Sequence, residues 1–515
     1  MNDSILAWSR RGFLGTGLGM AATVWTNAGA VTADDRVRWN ADPFTLGVAS
    51  GAPRPDGVVL WTRLAPVPLQ QDGGLPPRDL PIRWQVAEDE RFTRVVRKGE
   101  ATARAEEIHS VHVDVRGLRP DRWYFYRFRC GEAISRTGRT RTLPTLSAGV
   151  SEARLAIASC QRYEHGYYSA YRHLAEQSPD LVVHLGDYIY ENVRTGVRLH
   201  DIPVELRTDA NDLASYRLRH TLYRLDPDLQ DAHACAPWLL IADNHDAVED
   251  GDNTQAVLAR RAAAYQAYYE HLPLPRDARP HGASMRIHRN LDYGSLARLH
   301  LLDTRQYRDR QQICGTSSVT GPACTALDAE QRSMLGAQQE RWLRHSLGSS
   351  HANWNAITQT VLFAPYNFRS ANGADEDVYY ASWQGYPAAR ARLLDDIVTQ
   401  RPHNPLMLSG DWHTAWVNTV DADAEARGSR PVMTEFLSSG ISSDPGFTSN
   451  LAKPSLEANP HVRYYDDHCG YTLCTITRDN WQTTFLGAET TGRDGSVRPV
   501  SSWTVESGRP EAERS

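Results

Sequence analysis

Two kinds of hydrophobic pattern divide this chain. Between about Asp42 and Pro144, short runs alternate apolar and polar residues: Gly57–Thr62, Ile82–Val86, His109–Val115 and Trp123–Phe128. Gly/Pro turns separate them, the signature of strands with one buried face. From about Ser151 the runs become short and almost continuously apolar: Arg154–Ser159, Leu181–Leu185, Trp238–Ala242 and Pro405–Ser409. Such runs read as strands buried on both faces. Helical patterns over Tyr167–Gln177, Asp328–Leu347 and Arg390–Arg401 are each followed within a few residues by a strand, which predicts a layered α/β domain.

The first pattern predicts an all-β sandwich over residues 41–146. Val115-Arg116-Gly117-Leu118-Arg119-Pro120, ahead of an aromatic strand, resembles a fibronectin type III domain. The second predicts a catalytic domain over 150–490. Residues 491–515, rich in Ser, Arg and Glu, read as a C-terminal surface segment with Trp503 as an anchor.

Residues 1–33 are expected to be a targeting segment. Ser9-Arg10-Arg11-Gly12-Phe13-Leu14 sets twin arginines before a mild Gly/Ala-rich apolar stretch, and Ala28-Gly29-Ala30 or Val31-Thr32-Ala33 offers a cleavage site. The twin-arginine translocon is therefore an expected partner during export, with a periplasmic or secreted destination. No other segment has the roughly 20 apolar residues of a membrane span, so no transmembrane anchor is expected. A net charge of −6 without single-sign runs implies no nucleic-acid partner.

Seven cysteines in an exported chain imply disulfides and one thiol left over. Cys314 and Cys324 flank a Gly/Ser/Thr-rich loop and are natural partners; Cys469 and Cys474 are close in sequence, and Cys130 and Cys235 remain. Sequence does not decide their pairing. The odd thiol is expected to be Cys160, either a buried structural cysteine or a metal thiolate.

The chemistry gathers at strand ends, where α/β sheets present ligands. Cys160 ends one apolar run. Gly186-Asp187-Tyr188-Ile189-Tyr190, Asp243-Asn244-His245-Asp246 and Gly410-Asp411-Trp412-His413 end three others. Any one Gly-Asp step is an ordinary turn; the four together predict one polynuclear metal site. Phenolate and thiolate from Tyr190 and Cys160 favour Fe³⁺. Asn244 and Asp411 suit a harder divalent ion such as Ca²⁺, Mg²⁺ or Mn²⁺, and Asp187 can bridge the two. Two metals about 3.5–4 Å apart stabilise in-line displacement at phosphorus. His245, beside the ligand Asn244, would protonate the leaving alkoxide or bind a phosphate oxygen. Arg305 and Tyr307, past the run Leu299–Asp303, either clamp phosphate or, for Arg305, pair structurally with Asp303.

These motifs resemble the alkaline phosphatase D (PhoD-like) family of the calcineurin-like metallophosphatase superfamily, akin to purple acid phosphatases. Phe44–Gly51 and Val59–Leu64 carry the likeness in the β domain. Ala158-Ser159-Cys160-Gln161, Leu185–Tyr190, Leu302–Arg308, Tyr386–Arg390 and Ser409–His413 carry it in the catalytic part. The resemblance implies a β-sandwich core of two sheets flanked by helices. It also implies Fe³⁺ on Cys160, Asp187, Tyr190 and His413, and Ca²⁺ on Asp187, Asn244 and Asp411. One departure stands out: many relatives carry Trp-Asp-Asp-His-Glu where this chain has Ala242-Asp243-Asn244-His245-Asp246. Losing one negative charge there leaves the second metal open among Ca²⁺, Mg²⁺, Mn²⁺ and Zn²⁺.

The expected function is an exported, metal-dependent phosphoester hydrolase using a metal-bound hydroxide, as an alkaline phosphatase or a phosphodiesterase. A phospholipase D-type diesterase and a non-catalytic surface binding protein with structural metals are the alternatives. The serine-nucleophile type of alkaline phosphatase is disfavoured, because its Asp-Ser-Ala signature is absent.

Overall fold

The computed structural model describes residues 37–247, 254–316, 319–369, 376–424, 429–446 and 455–515. The expected twin-arginine segment lies outside them. Along the chain come β1 (Val48–Arg54), β2 (Gly57–Arg63), β3 (Leu80–Ala87), β4 (Val95–Ala103), β5 (Ser110–Arg116), β6 (Trp123–Cys130), β7 (Ala133–Ile134) and β8 (Gly138–Arg141). All the strands expected from alternation are present. They split between two sheets: β4-β3-β6-β7, with β8 on β6, form one, whereas β1, β2 and β5 belong to a ten-stranded sheet shared with the rest of the molecule. Between the layers lie Val58, Leu60, Val113 and Val115 on one side and Ile82, Val86, Tyr124, Tyr126 and Phe128 on the other. The sandwich is thus continuous with the catalytic part of the chain, because β1 runs parallel to β11 at Gly51 and Trp238.

Next come β9 (Glu152–Ala158), α1 (Ser169–Gln177), β10 (Leu181–His184), α2 (Leu213–Arg224), α3 (Pro227–Cys235), β11 (Trp238–Leu240) and α4 (Gln255–His271). Strands β9, β10 and β11 lie side by side and parallel. Their carboxyl ends therefore open on one edge. Helix starts follow local chemistry: Asp212 and Ser215 form a reciprocal capping box on α2, and Asp226 caps α3 ahead of Pro227.

The second sheet is built from β12 (Arg289–Tyr293), β13 (Ala297–Leu301), β15 (Trp354–Thr358), β18 (Pro405–Ser409), β19 (Ala415–Asp421), β20 (Pro431–Leu437) and β21 (Val462–Asp466). Its order is β12-β13-β15-β18-β20-β19-β21, with β13, β15, β18 and β20 parallel. Between these strands fall the small sheet β14 (Thr320–Pro322), β16 (Phe368–Arg369) and β17 (Glu376–Tyr379), and helices α5 (Gly336–Gly348) and α6 (Pro387–Gln400). Leu155, Ile157 and Val183 of the first sheet pack in one core with Leu299, Ala356, Leu408 and Phe436 of the second. On the far face of the second sheet, Ile357, Met407 and Met433 pack with Leu343, Leu347, Leu393 and Ile397 of α5 and α6. The expected architecture, two sheets flanked by helices behind a β domain, is the one observed.

Three expectations are corrected. The helix read from Asp328 begins only at Gly336, whose φ of +70° interrupts the helical path. The C-terminal stretch is not a surface segment: β22 (Gly470–Thr477), β23 (Asn480–Ala488), β24 (Val497–Glu506) and β25 (Ala512–Arg514) complete the ten-stranded sheet. Ser501, Trp503 and Val505 alternate inward, a period-2 pattern masked by the polar residues between them. Of the expected disulfides, Cys314–Cys324 forms, but Cys235, Cys469 and Cys474 keep free thiols. Cys474 lies along strand β22, which at about 3.3 Å per residue carries it roughly 13 Å beyond Gly470, far outside the Cα spacing of about 4.4–6.8 Å that a disulfide needs. Cys130 Sγ instead reaches the Pro81 carbonyl oxygen at 3.3 Å, and Cys235 Sγ that of Ala232 at 3.2 Å.

Candidate metal centre

The carboxyl ends of β9, β10 and β11 meet those of β13, β15 and β18 from the other sheet, and every expected ligand sits in this seam. Backbone bonds stitch the loops together. Cys160 N–H donates to the Gly186 carbonyl (3.1 Å), Ser443 N–H to that of Cys160 (3.2 Å), and Gly410 N–H to that of Thr360 (2.7 Å). Gly186 has φ +100°, and a Cβ there would stand 2.3 Å from Asp243 Cβ. Only glycine lets the β11 loop approach. Four ligand candidates hold left-handed backbone: Cys160 (φ +54°), Asp187 (+54°), Asp411 (+71°) and His413 (+56°). Such a conformation costs a non-glycine residue about 1–3 kcal/mol and persists where surrounding structure over-determines it.

The ligating atoms of Cys160, Asp187 and His413 lie within 4.8 Å of one another. Tyr190 joins them, its hydroxyl 2.9 Å from His413 Nε2 and 3.0 Å from Ser443 Oγ. The Arg162 guanidinium covers the Tyr190 ring at 3.7 Å. His413 Nδ1 faces the Asp444 carbonyl oxygen at 2.7 Å, which makes it the donor nitrogen and leaves Nε2 with its lone pair toward the cluster. This donor set fits a metal: thiolate, carboxylate, phenolate and imidazole converge in a buried space.

Asn244 and Asp411 stand next to this group and are bridged by Arg305. Its Nη2 lies 3.2 Å from Asn244 Oδ1 and 3.0 Å from Asp411 Oδ1, while its Nε donates to buried Asp243. Arg305 is therefore part of the ligand cluster. Its link to Asp303 is made by the backbone, the Arg305 N–H donating to Asp303 Oδ1 at 3.0 Å. Tyr307, expected beside it, is 39% exposed with its ring edge-on to His288.

The electrostatics are those of an anionic cluster short of positive charge. Burial pushes the Cys160 thiol and the Tyr190 phenol up, and Asp187 pushes both further. Burial also raises Asp187 to about 6, and lifts Asp411 well above the carboxylate range with Asp243 adding to it. Asp243, although buried, is held low by Arg305. Burial takes His413 down to about 4, in its neutral ligating form. His245 is the exception. Burial lowers it, but Asp187 and the bond to Glu191 outweigh burial and hold it at about 9.

Sequence reasoning missed three participants. Glu191 Oε2 lies 2.6 Å from His245 Nδ1 and fixes the ring, which also packs on Tyr190 with centroids 4.2 Å apart. The only hint was a carboxylate directly after Tyr190. Asp243 anchors Arg305. Asp246 accepts Ile189 N–H (3.1 Å) and Asp243 N–H (3.0 Å), tying the β10 and β11 loops to each other.

Comparison with known proteins shows the family. The family model described as PhoD-like phosphatase matches residues 155–485, and that of the PhoD-like phosphatase N-terminal domain matches 29–144. The chain is 41% identical over 488 residues to alkaline phosphatase D of Bacillus subtilis (strain 168), covering 91% of this chain and 82% of that protein. A shorter similarity, 33% over 86 residues, reaches purple acid phosphatase 15 of Arabidopsis thaliana and covers 16% of each chain. A solved structure of PhoD superposes with a TM-score of 0.87 at 39% identity, covering 93% of each chain. The chain belongs to the PhoD-like phosphatase family and is a phosphoric ester hydrolase.

Proposed function

We propose that this family member hydrolyses phosphoesters at a two-cation centre in the seam between its sheets. The observation that carries the reading is the convergence of Cys160, Asp187 and His413 within 4.8 Å, with Tyr190 on His413. Cys160, Asp187, Tyr190 and His413 would hold Fe³⁺, because thiolate and phenolate together favour a trivalent ion. Asp187, Asn244 and Asp411 would hold a hard divalent ion, Ca²⁺ foremost. Such cations, when bound, acidify water and offset charge on the phosphoryl oxygens.

The chain's own side chains do the rest. His245 is oriented by Glu191 through Nδ1, which leaves Nε2 for the substrate. A proton on that Nε2 can pass to the departing alkoxide. Arg305 brings further guanidinium donors to the same place and suits a phosphoryl oxygen. Arg10 and Arg11 address the chain to the twin-arginine translocon. Lys in place of both is expected to leave the precursor in the cytoplasm, and secretion of that variant would remove the export reading. Among the described residues no helix is long and apolar enough to cross a membrane.

Metal-analysed protein assayed on p-nitrophenyl phosphate, bis-p-nitrophenyl phosphate and a phospholipid tests the activity and separates monoesterase, diesterase and phospholipase D-type action. Failure on all three would return the chain to a binding role. A visible charge-transfer band lost in Tyr190→Phe is expected of the iron site. An active, colourless protein with stoichiometric zinc and no iron would overturn it.

A further inference from the structure

The two side-chain oxygens that would serve the divalent ion, Asn244 Oδ1 and Asp411 Oδ1, are both taken by one nitrogen of the protein itself, Arg305 Nη2, at 3.2 and 3.0 Å. We infer that Arg305 is a resident cation at the second-cation position, and that a divalent ion binds there only by displacing its Nη2 from Asn244 and Asp411. The inference rests on reading those two residues as divalent-ion ligands.

Three observations support it. Both oxygens are engaged by a donor of unit charge, and a Ca²⁺ ion needs such oxygens at about 2.3–2.6 Å. An ion seated between these two oxygens would take the space in which Nη2 now lies. The Arg305 side chain is 6% exposed and that of Asp411 is 9% exposed, so solvent screens their attraction little. The contact is therefore a genuine competitor for the ion. Finally, Arg305 Nε is held separately by Asp243, whose side chain is 1% exposed. The guanidinium can pivot about that anchor, giving up Asn244 and Asp411 while Asp243 keeps it at the site. The displaced end would then lie beside the incoming phosphoryl group.

The consequence is a second position at which a divalent ion meets a built-in competitor. A divalent ion must displace the guanidinium from Asn244 and Asp411, so it binds more weakly than the ligand set alone would allow.

Calcium titration by calorimetry on iron-loaded protein tests this. Arg305→Gln, which removes the competitor, is expected to bind Ca²⁺ about tenfold or more tightly than wild type, the scale of a lost charge-assisted bond. Equal or weaker affinity in the variant overturns the inference. Absence of Ca²⁺ binding in both proteins removes the inference and the ligand assignment together, whereas binding of equal strength in both removes the inference alone. Should Arg305→Gln fail to fold because Asp243 loses its partner, wild-type crystals with and without Ca²⁺ decide the matter. Nη2 is expected to leave Asn244 and Asp411 when the ion is present, and its retention within hydrogen-bond distance of both, with Ca²⁺ bound, overturns the proposal.

Discussion

Histidines crowd both sides of the Asp187–Tyr190 loop, and one of them, His245, behaves unlike the rest. In front, His245 and His413 stand among Cys160, Asp187, Tyr190 and Glu191. Behind, His184, His220, His233 and His271 pack around Tyr188 and Trp238, stacked on one another and on the indole: His220 on His271 at 5.1 Å and His233 on Trp238 at 3.8 Å. Burial, with neighbouring cations adding to it, holds the rear group neutral: His184 and His220 fall to about 3, and His233 and His271 lie well below the ordinary range. In front, burial likewise takes His413 down to about 4, whereas Asp187 and Glu191 raise His245 to about 9. The thiol, carboxylate, phenol and imidazole that converge in front, where the rear has rings packed on rings, mark the front as the functional one.

Four substitutions probe that contrast. Asp187→Ala, which removes the shared carboxylate, is expected to empty the centre and lower turnover by about 10³-fold or more, several kcal/mol of lost stabilisation. Elemental analysis alongside kinetics checks it, and retention of both ions with full activity would dissolve the contrast. His245→Ala should keep the metals and lose about 10²–10⁴-fold in rate. The defect should shrink with an activated leaving group if His245 is the acid, whereas loss of metal would make it a ligand. Glu191→Gln should cost about tenfold, the lower end for a residue that orients another. The loss should fall on kcat rather than KM, and an unchanged kcat would reduce Glu191 to a surface ion pair. On the other side of the loop, His220→Phe should change turnover by less than about twofold and stability by about 1 kcal/mol or less, since an aromatic of similar shape replaces a neutral ring. A loss comparable to that of His245→Ala would show the rear cluster to be part of the machinery.

Much of the site was legible because its residues obey a rule of position. Cys160, Asp187, Asn244 and Asp411 each come after an apolar run that becomes a parallel strand, and parallel strands deliver their carboxyl ends to one edge. Glu191 was not legible: a carboxylate one residue past Tyr190 becomes His245's partner only when the β10 and β11 loops close on each other. Arg305 was seen as a phosphate clamp, but its place on Asn244 and Asp411 depends on β13 and β18 lying in the same sheet. The edge strands of the C-terminus were hidden by composition. Polar residues on the exposed faces of β24 outweighed the inward Trp503 and Val505.

By itself the sequence determined the alternation of strands and helices, the β-rich first third and the residue types gathered at the strand ends. These depend on periodicity and on the chemistry of short neighbouring stretches, which a linear chain carries in full. The tertiary structure alone decided that β1, β2 and β5 extend the catalytic sheet, that Cys469 and Cys474 stay apart, and that Arg305 takes the side-chain oxygens of Asn244 and Asp411. Each of those outcomes joins atoms from distant parts of the chain. They are set by which sheet edges pair and which loops pack, a free-energy balance over the whole core that no local pattern encodes.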